Sequence, residues 1–288
     1  MASRDDNRRI GCPLSVEPIR IYGLDMKHAV FVAPFGYLAA PHRLIELATA
    51  AEDCGWDGLF LWDHILRPES NEILDPWVVM GALAQATETL RLGPMVTPLP
   101  RRRPIKLARE ILTVDLLSQG RITVGLGLGV DSGGEFTRFD EVTDPRTRGA
   151  MLDEGADLLA ALFEGELVAT HEGHFTVDGV VLEPRPVQAP RPPMWFAARG
   201  GAGKPVRRAA RFDGLFPIDM DADQYNRALD EIVTIRGSLD GFDVAVKTTP
   251  GELPPDFVRD TATWAMHSWP AVADLNDLFN TVMAGPPG

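Results

Sequence analysis

The apolar and polar positions of this chain switch period repeatedly. From residue 26 onward, short apolar runs bounded by Gly and Pro alternate with longer segments whose apolar positions recur every three or four residues. The runs predict buried strands, and the longer segments predict helices with one covered face. Strands are predicted at residues 29–33, 58–62, 92–96, 122–127, 194–198, 214–216, 242–246 and 263–266. Helices are predicted at 41–54, 75–88, 104–118, 148–163, from Lys204-Pro205, at 222–238 and at 271–283. Asp75-Pro76 is an N-cap followed by an N1 proline, and Gly55 and Gly120 suit helix ends. One stretch breaks the rhythm. Residues 168–182 predict a β-hairpin, with strands 174–177 and 180–182 joined at Asp178-Gly179. Eight strands alternating with helices predict one α/β domain, a (β/α)8 TIM barrel with a hairpin insertion before its fifth strand.

Length fits that reading: 288 residues accommodate one barrel, typically about 250 residues, plus modest insertions. Residues 1–25 are polar and without sustained periodicity, and are read as a flexible leader before a domain spanning 26–288. Met26 opens the first strand directly and is an alternative start.

Composition narrows the partners. Hydrophobic residues make up 45% and charged residues 24%, as in an ordinary globular protein, and the net charge is −13. That charge argues against nucleic acid or an anionic membrane surface as partner. It leaves room for a local basic pocket. Two cysteines, Cys12 and Cys54, without a CxxC, make a zinc site or a disulfide framework an unlikely reading. With no signal-like h-region and no apolar run of membrane-spanning length, a cytoplasmic location is expected. Lysine is rare: only Lys27, Lys106, Lys204 and Lys247.

In barrels of this type chemistry gathers at the C-terminal ends of the strands. The second strand ends in Trp62-Asp63-His64. An imidazole there can move a proton near neutral pH, and Asp63 is expected to orient His64 or a backbone amide. The run Gly125-Leu126-Gly127-Leu128-Gly129 fails the dinucleotide fingerprint, because Val130 stands where the third glycine is needed. Its glycines suit either backbone approach to a flat ring or tight packing inside the barrel. The loop Ala198-Arg199-Gly200-Gly201-Ala202-Gly203 runs into a helix and suits an anion cradle, with Lys204 and Arg207 nearby. Arg101-Arg102-Arg103 reads either as a contact to an anionic group or as a solvated surface run. His171 and His174 form an HxxH without further ligands and read as hairpin residues. Neither a GxSxG elbow nor a P-loop occurs.

Several segments, in order, resemble the bacterial luciferase-like superfamily of flavin- and deazaflavin-dependent oxidoreductases. They are AEDCGWDGLFLWDHI (51–65), RLGPMVTPLPRRRPIKLARE (91–110), LLSQGRITVGLGLGV (116–130), LEPRPVQAPRPPMW (182–195), RRAARFDGLFP (207–217) and the closing AGPP (284–287). The resemblance implies a flavin or deazaflavin ring over the barrel mouth with a substrate pocket above it. It implies that His64 touches the ring or moves a proton. It places Val96 and Thr97 under the ring, sometimes through a non-proline cis peptide, and Gly127, Leu128 and Gly129 close to it. It puts the cofactor phosphate at Ala198, Arg199, Gly200 and Gly201. Some deazaflavin relatives carry a glutamate just after the glycine run. Here Val130 and then Asp131 occupy that place, which puts a glutamate-assisted mechanism in doubt. Three functions stay open. The first is hydride transfer to or from a small organic substrate using F420. The second is FMN-dependent monooxygenation fed by a separate reductase. The third is a non-catalytic flavin-binding protein. A homodimer is expected from the resemblance alone.

Overall fold

A computed structural model describes residues 26–287; the expected leader lies outside the described residues. The strands are β1 (Lys27–Val32), β2 (Gly58–Leu61), β3 (Arg91–Pro94), β4 (Thr97–Pro98), β5 (Val124–Gly127), β6 (Val168–Thr170), β7 (Val177–Val180), β8 (Met194–Ala198), β9 (Gly214–Pro217), β10 (Asp243–Thr248) and β11 (Trp264–Ser268). The helices are α1 (Pro41–Asp53), α2 (Pro76–Ala86), α3 (Pro104–Leu117), α4 (Pro145–Glu164), α5 (Lys204–Ala210), α6 (Ala222–Arg236), α7 (Asp256–Arg259) and α8 (Leu275–Ala284).

Nine strands run in the order β3-β2-β1-β11-β10-β9-β8-β5-β4, every pairing parallel. β3 and β4 are two halves of one barrel strand. The Leu92–Ile122 bridge, with Thr123 N–H donating to Leu92 O at 2.8 Å, joins β3 to the segment entering β5 and completes the ring. This is the TIM barrel that the alternating pattern predicts.

Strand parity sorts the side chains into two cores. Val30, Val32, Leu59, Leu61, Val244 and Val246 face outward and pack against the helices. Ala29, Phe31, Phe60, Met95, Trp195, Phe216, Ala245, Trp264 and Met266 fill the lumen. Phe60 stacks on Trp195 with centroids 5.6 Å apart. Local capping starts the helices where the sequence places them: Asp75 Oδ1 accepts from Val78 N–H at 3.0 Å. Asp144 does the same for Thr147, which starts α4 three residues earlier than periodicity indicated.

Two placements differ from expectation. A two-stranded antiparallel pair does precede β8, but it joins β6 to β7. Asp178 and Gly179 lie inside β7, and the turn spans the segment containing His171 and His174. The Asp-Gly signal is local; the partner strand is chosen by Val168 and Phe175, whose buried side chains join the outer core. After β10, the barrel's usual long helix is replaced by a proline-rich loop and the four-residue α7.

Candidate active site

At the C-terminal mouth of the barrel lies a cavity of about 420 Å³, well inside the range for small-molecule sites. Its floor is made by Phe31, Met95 and Phe216, which also cap the lumen core. Its walls bring together Trp62, His64, Val96, Gly127, Leu128, Gly129, Ala198 and Arg199 from four different strand ends. The Met95–Val96 peptide is cis.

The glycine run takes on a clear role. A Cβ on Gly125 would stand 2.3 Å from Pro94 O, so that glycine packs the barrel. A Cβ on Gly127 would stand 2.6 Å from Val96 Cγ2, on the wall of the cavity itself. Both contacts are packing of the glycine backbone against neighbouring chain, and Gly127 makes its contact at the cavity wall.

His64 follows a strand whose parity turns Trp62 toward the mouth and Asp63 away from it. Its Nδ1 lies 2.8 Å from Oε2 of Glu135, a residue that the sequence reading passed over. Glu135 is completely buried. Its Oε1 accepts from Ile65 N–H at 2.6 Å and Leu66 N–H at 3.3 Å, and lies 3.3 Å from Arg101 Nη1. Burial by itself would push the Glu135 carboxyl up. The hydrogen bond from His64, the charges of His64 and Arg101 and the Ile65 amide outweigh it and hold the group below its ordinary value. An ionised Glu135 fixes the proton of His64 on Nδ1 and leaves Nε2 for the cavity.

The loop that delivers Glu135 is built by its neighbours. Asp131 Oδ1 accepts from Phe136 N–H at 2.8 Å and Thr137 N–H at 3.3 Å, closing the chain on itself. At Gly133 a Cβ would stand 2.5 Å from Leu66 O, so only glycine lets this loop reach the segment after His64. A turn thus returns Glu135, five positions beyond Val130, to His64.

The pH consequence has a definite sign. With a folded value below the ordinary 4.5, ionised Glu135 contributes stability that is full above pH 4.5 and lost as pH falls below it. The stability difference between wild type and Glu135→Gln, measured by urea unfolding, is expected to be flat at neutral pH and to shrink on acidification. A difference that grows on acidification would contradict the assignment.

Four expected contacts need correction. Asp63 does not orient His64; it is 2% exposed and accepts from Thr97 Oγ1 at 2.7 Å and from Arg102 Nη2 at 2.9 and 3.0 Å, with Arg101 Nη2 at 3.3 Å. Thr97 does not face the cavity. It is fully buried behind the wall, donating to Asp63 and accepting from Trp77 Nε1–H at 3.0 Å. Arg101 and Arg102 are neither a solvated run nor free cations, since both are committed to buried carboxylates. The anion cradle is already engaged in part. Gly203 N–H donates to Glu231 Oε2 at 2.8 Å, Arg207 pairs with the same carboxylate at 2.7 Å, and Arg199 pairs with Asp219. Gly201 packs its backbone against α6, where a Cβ would stand 2.3 Å from Gln224 O; neither it nor Gly200 lines the cavity.

Comparison with known proteins places this mouth among redox enzymes. The luciferase-like monooxygenase family model matches residues 26–250. An F420-dependent glucose-6-phosphate dehydrogenase of Nakamurella multipartita is 29% identical over 259 residues, covering 80% of this chain and 72% of that protein. The oxygenase component of a flavin-dependent trigonelline monooxygenase of Acinetobacter baylyi is 30% identical, over 54% of this chain and 43% of that protein. The chain spans 65% of the length of uncharacterised mycobacterial relatives to which it is 34% identical. Among solved structures, an F420-dependent secondary alcohol dehydrogenase in complex with an F420-acetone adduct superposes with a TM-score of 0.67 at 19% identity, covering 91% of this chain and 85% of that one.

Proposed function

The chain belongs to the luciferase-like monooxygenase family, and from that premise we propose that it is an F420-dependent oxidoreductase acting on a small organic substrate. The observation that carries this reading is the His64–Glu135 pair on the wall of an apolar cavity beside Val96 and Gly127. The cavity fits the group: its volume takes a tricyclic ring, its floor is apolar, and His64 offers one ring nitrogen inward. Val96, Gly127, Leu128 and Gly129 would hold the ring, and Ala198 and Arg199 would lie toward the tail. Bound there, a deazaflavin supplies two-electron hydride chemistry.

The protein's own residues do the rest. His64 Nε2 takes the proton from an alcohol as it is oxidised, or returns it in the reverse direction. Glu135 holds the ring in one tautomer and stabilises the imidazolium that forms, as a buried acid behind a general base does. The apolar floor of Phe31, Met95 and Phe216 keeps water from the reacting centre. The similarity to an F420-dependent dehydrogenase over most of both chains favours this cofactor. The resemblance to a flavin monooxygenase component supports a second reading, reduced FMN delivered by a separate reductase, with the same dry cavity as its requirement.

A paired titration of the full chain with F420 and with FMN, oxidised and reduced, decides between them. The expected result is F420 binding at least about tenfold tighter than FMN, a difference of about 1.4 kcal/mol. Preferential binding of reduced FMN would overturn the F420 reading, and failure of both would leave a degenerate barrel.

A further inference from the structure

The mouth of this acidic protein is lined by cations. Arg67, Arg199 and Lys247 all border the cavity, together with His64. Three of the four are committed: Arg67 to Glu69, Arg199 to Asp219 and His64 to Glu135. Lys247 is not, since among the described residues no carboxylate lies within ion-pair distance of it. The nearby Asp256 is paired with Arg259.

Its place in the fold is as telling as its freedom. Lys247 sits on β10 with the parity of Ala245, which fills the lumen, so it rises from the inner face at the mouth. It borders the cavity described above and also two further cavities, of about 800 Å³ and 190 Å³, under the loop that replaces the long helix after β10. The residues assigned above to the cofactor come from β3–β4, β5 and β8. Lys247 shares the other half of the mouth with Phe31, Trp62, Phe216 and Ile218. That half is aromatic and aliphatic with one unpaired ammonium at its edge. In a chain that uses arginine almost everywhere, this position holds one of four lysines.

We propose that Lys247 is the specificity-determining cation of the substrate half of the cavity, selecting a small apolar molecule that carries one terminal anionic group, carboxylate or phosphate. The apolar wall binds the body of such a molecule and a single ammonium answers its single charge. A lysine is a point charge without bidentate geometry, so it accepts either kind of anion. This inference deepens the proposed function and rests on its division of the mouth between cofactor and substrate.

The test is calorimetric titration of the full chain with benzoate and phenyl phosphate against their neutral analogues benzamide and benzyl alcohol. The expected result is a preference of about tenfold for the anions, as for one charge-assisted hydrogen bond. Lys247→Met should abolish that preference, Lys247→Arg should keep it and Lys247→Glu should reverse it, with affinity for F420 or FMN unchanged in all three. Equal binding of anions and neutrals by wild type, no binding of either, or an undiminished preference in Lys247→Met would overturn the proposal. So would a loss of cofactor affinity in Lys247→Met, which would make Lys247 a cofactor residue. If wild type binds neither cofactor but still prefers the anions, the cofactor reading fails and the anion site stands.

Discussion

Replacing His64 by Gln is expected to lower kcat by about 10²–10⁴-fold, the usual contribution of a positioned acid–base group, while cofactor affinity changes by less than about tenfold. The split matters because His64 does two things in this site: it borders the cavity and it covers Glu135. A group that only lined the cavity would change KM and cofactor binding together. The assay is a rate measurement with F420 and whichever of a panel of small apolar alcohols carrying a carboxylate or phosphate wild type turns over fastest. Glu135→Gln keeps the shape but removes the charge, and a loss of up to about 10⁴-fold is expected, as when the buried carboxylate behind a general-base histidine becomes its amide. Unchanged turnover in His64→Gln would remove it from the chemistry.

The second large effect concerns stability. Asp63→Ala is expected to destabilise the fold by about 3–5 kcal/mol, because it strands buried positive charge. Arg101 is only 4% exposed at its side chain and Arg102 16%, and both lean on the Asp63 carboxylate, with Thr97 and Trp77 behind it. Arg101 also reaches Glu135, so the network links the stability of the barrel top to the position of His64. Urea unfolding of wild type and variant reads the difference directly. A change below about 1 kcal/mol, typical of exposed ion pairs, would show that these charges act as surface groups.

The barrel itself was legible because strand and helix periods differ, and both are written residue by residue. The catalytic candidate was legible for the same reason: His64 lies three residues past the end of β2. What the pattern could not carry was side-chain direction beyond the last paired residue. Asp63 and His64 are adjacent, yet the Asp63 carboxylate is buried against Thr97, Arg101 and Arg102 while His64 turns to Glu135. Thr97 was misplaced by the same step, since it follows Val96 on the opposite face. Glu135 was missed because its position depends on a turn closed by Asp131 and on Gly133 fitting against Leu66. The first is local, but the second, like the Glu135–Ile65 hydrogen bond, joins segments about seventy residues apart. The available signal was a glutamate in a Gly-rich loop after a barrel strand; it was sought at one fixed spacing. The arginine run was ambiguous in sequence because a surface run and a buried network contain the same letters, and only the carboxylates opposite them decide which it is.

His64, held by Glu135, is proposed to face a redox cofactor in the barrel mouth. The decisive experiment is a crystal structure of the protein grown with F420. The expected result is the ring against Val96 and Gly127, His64 Nε2 within hydrogen-bond reach of the reacting region, and the His64–Glu135 contact retained. A ring bound elsewhere, or a His64 turned away from it with Glu135 released, would overturn the proposal.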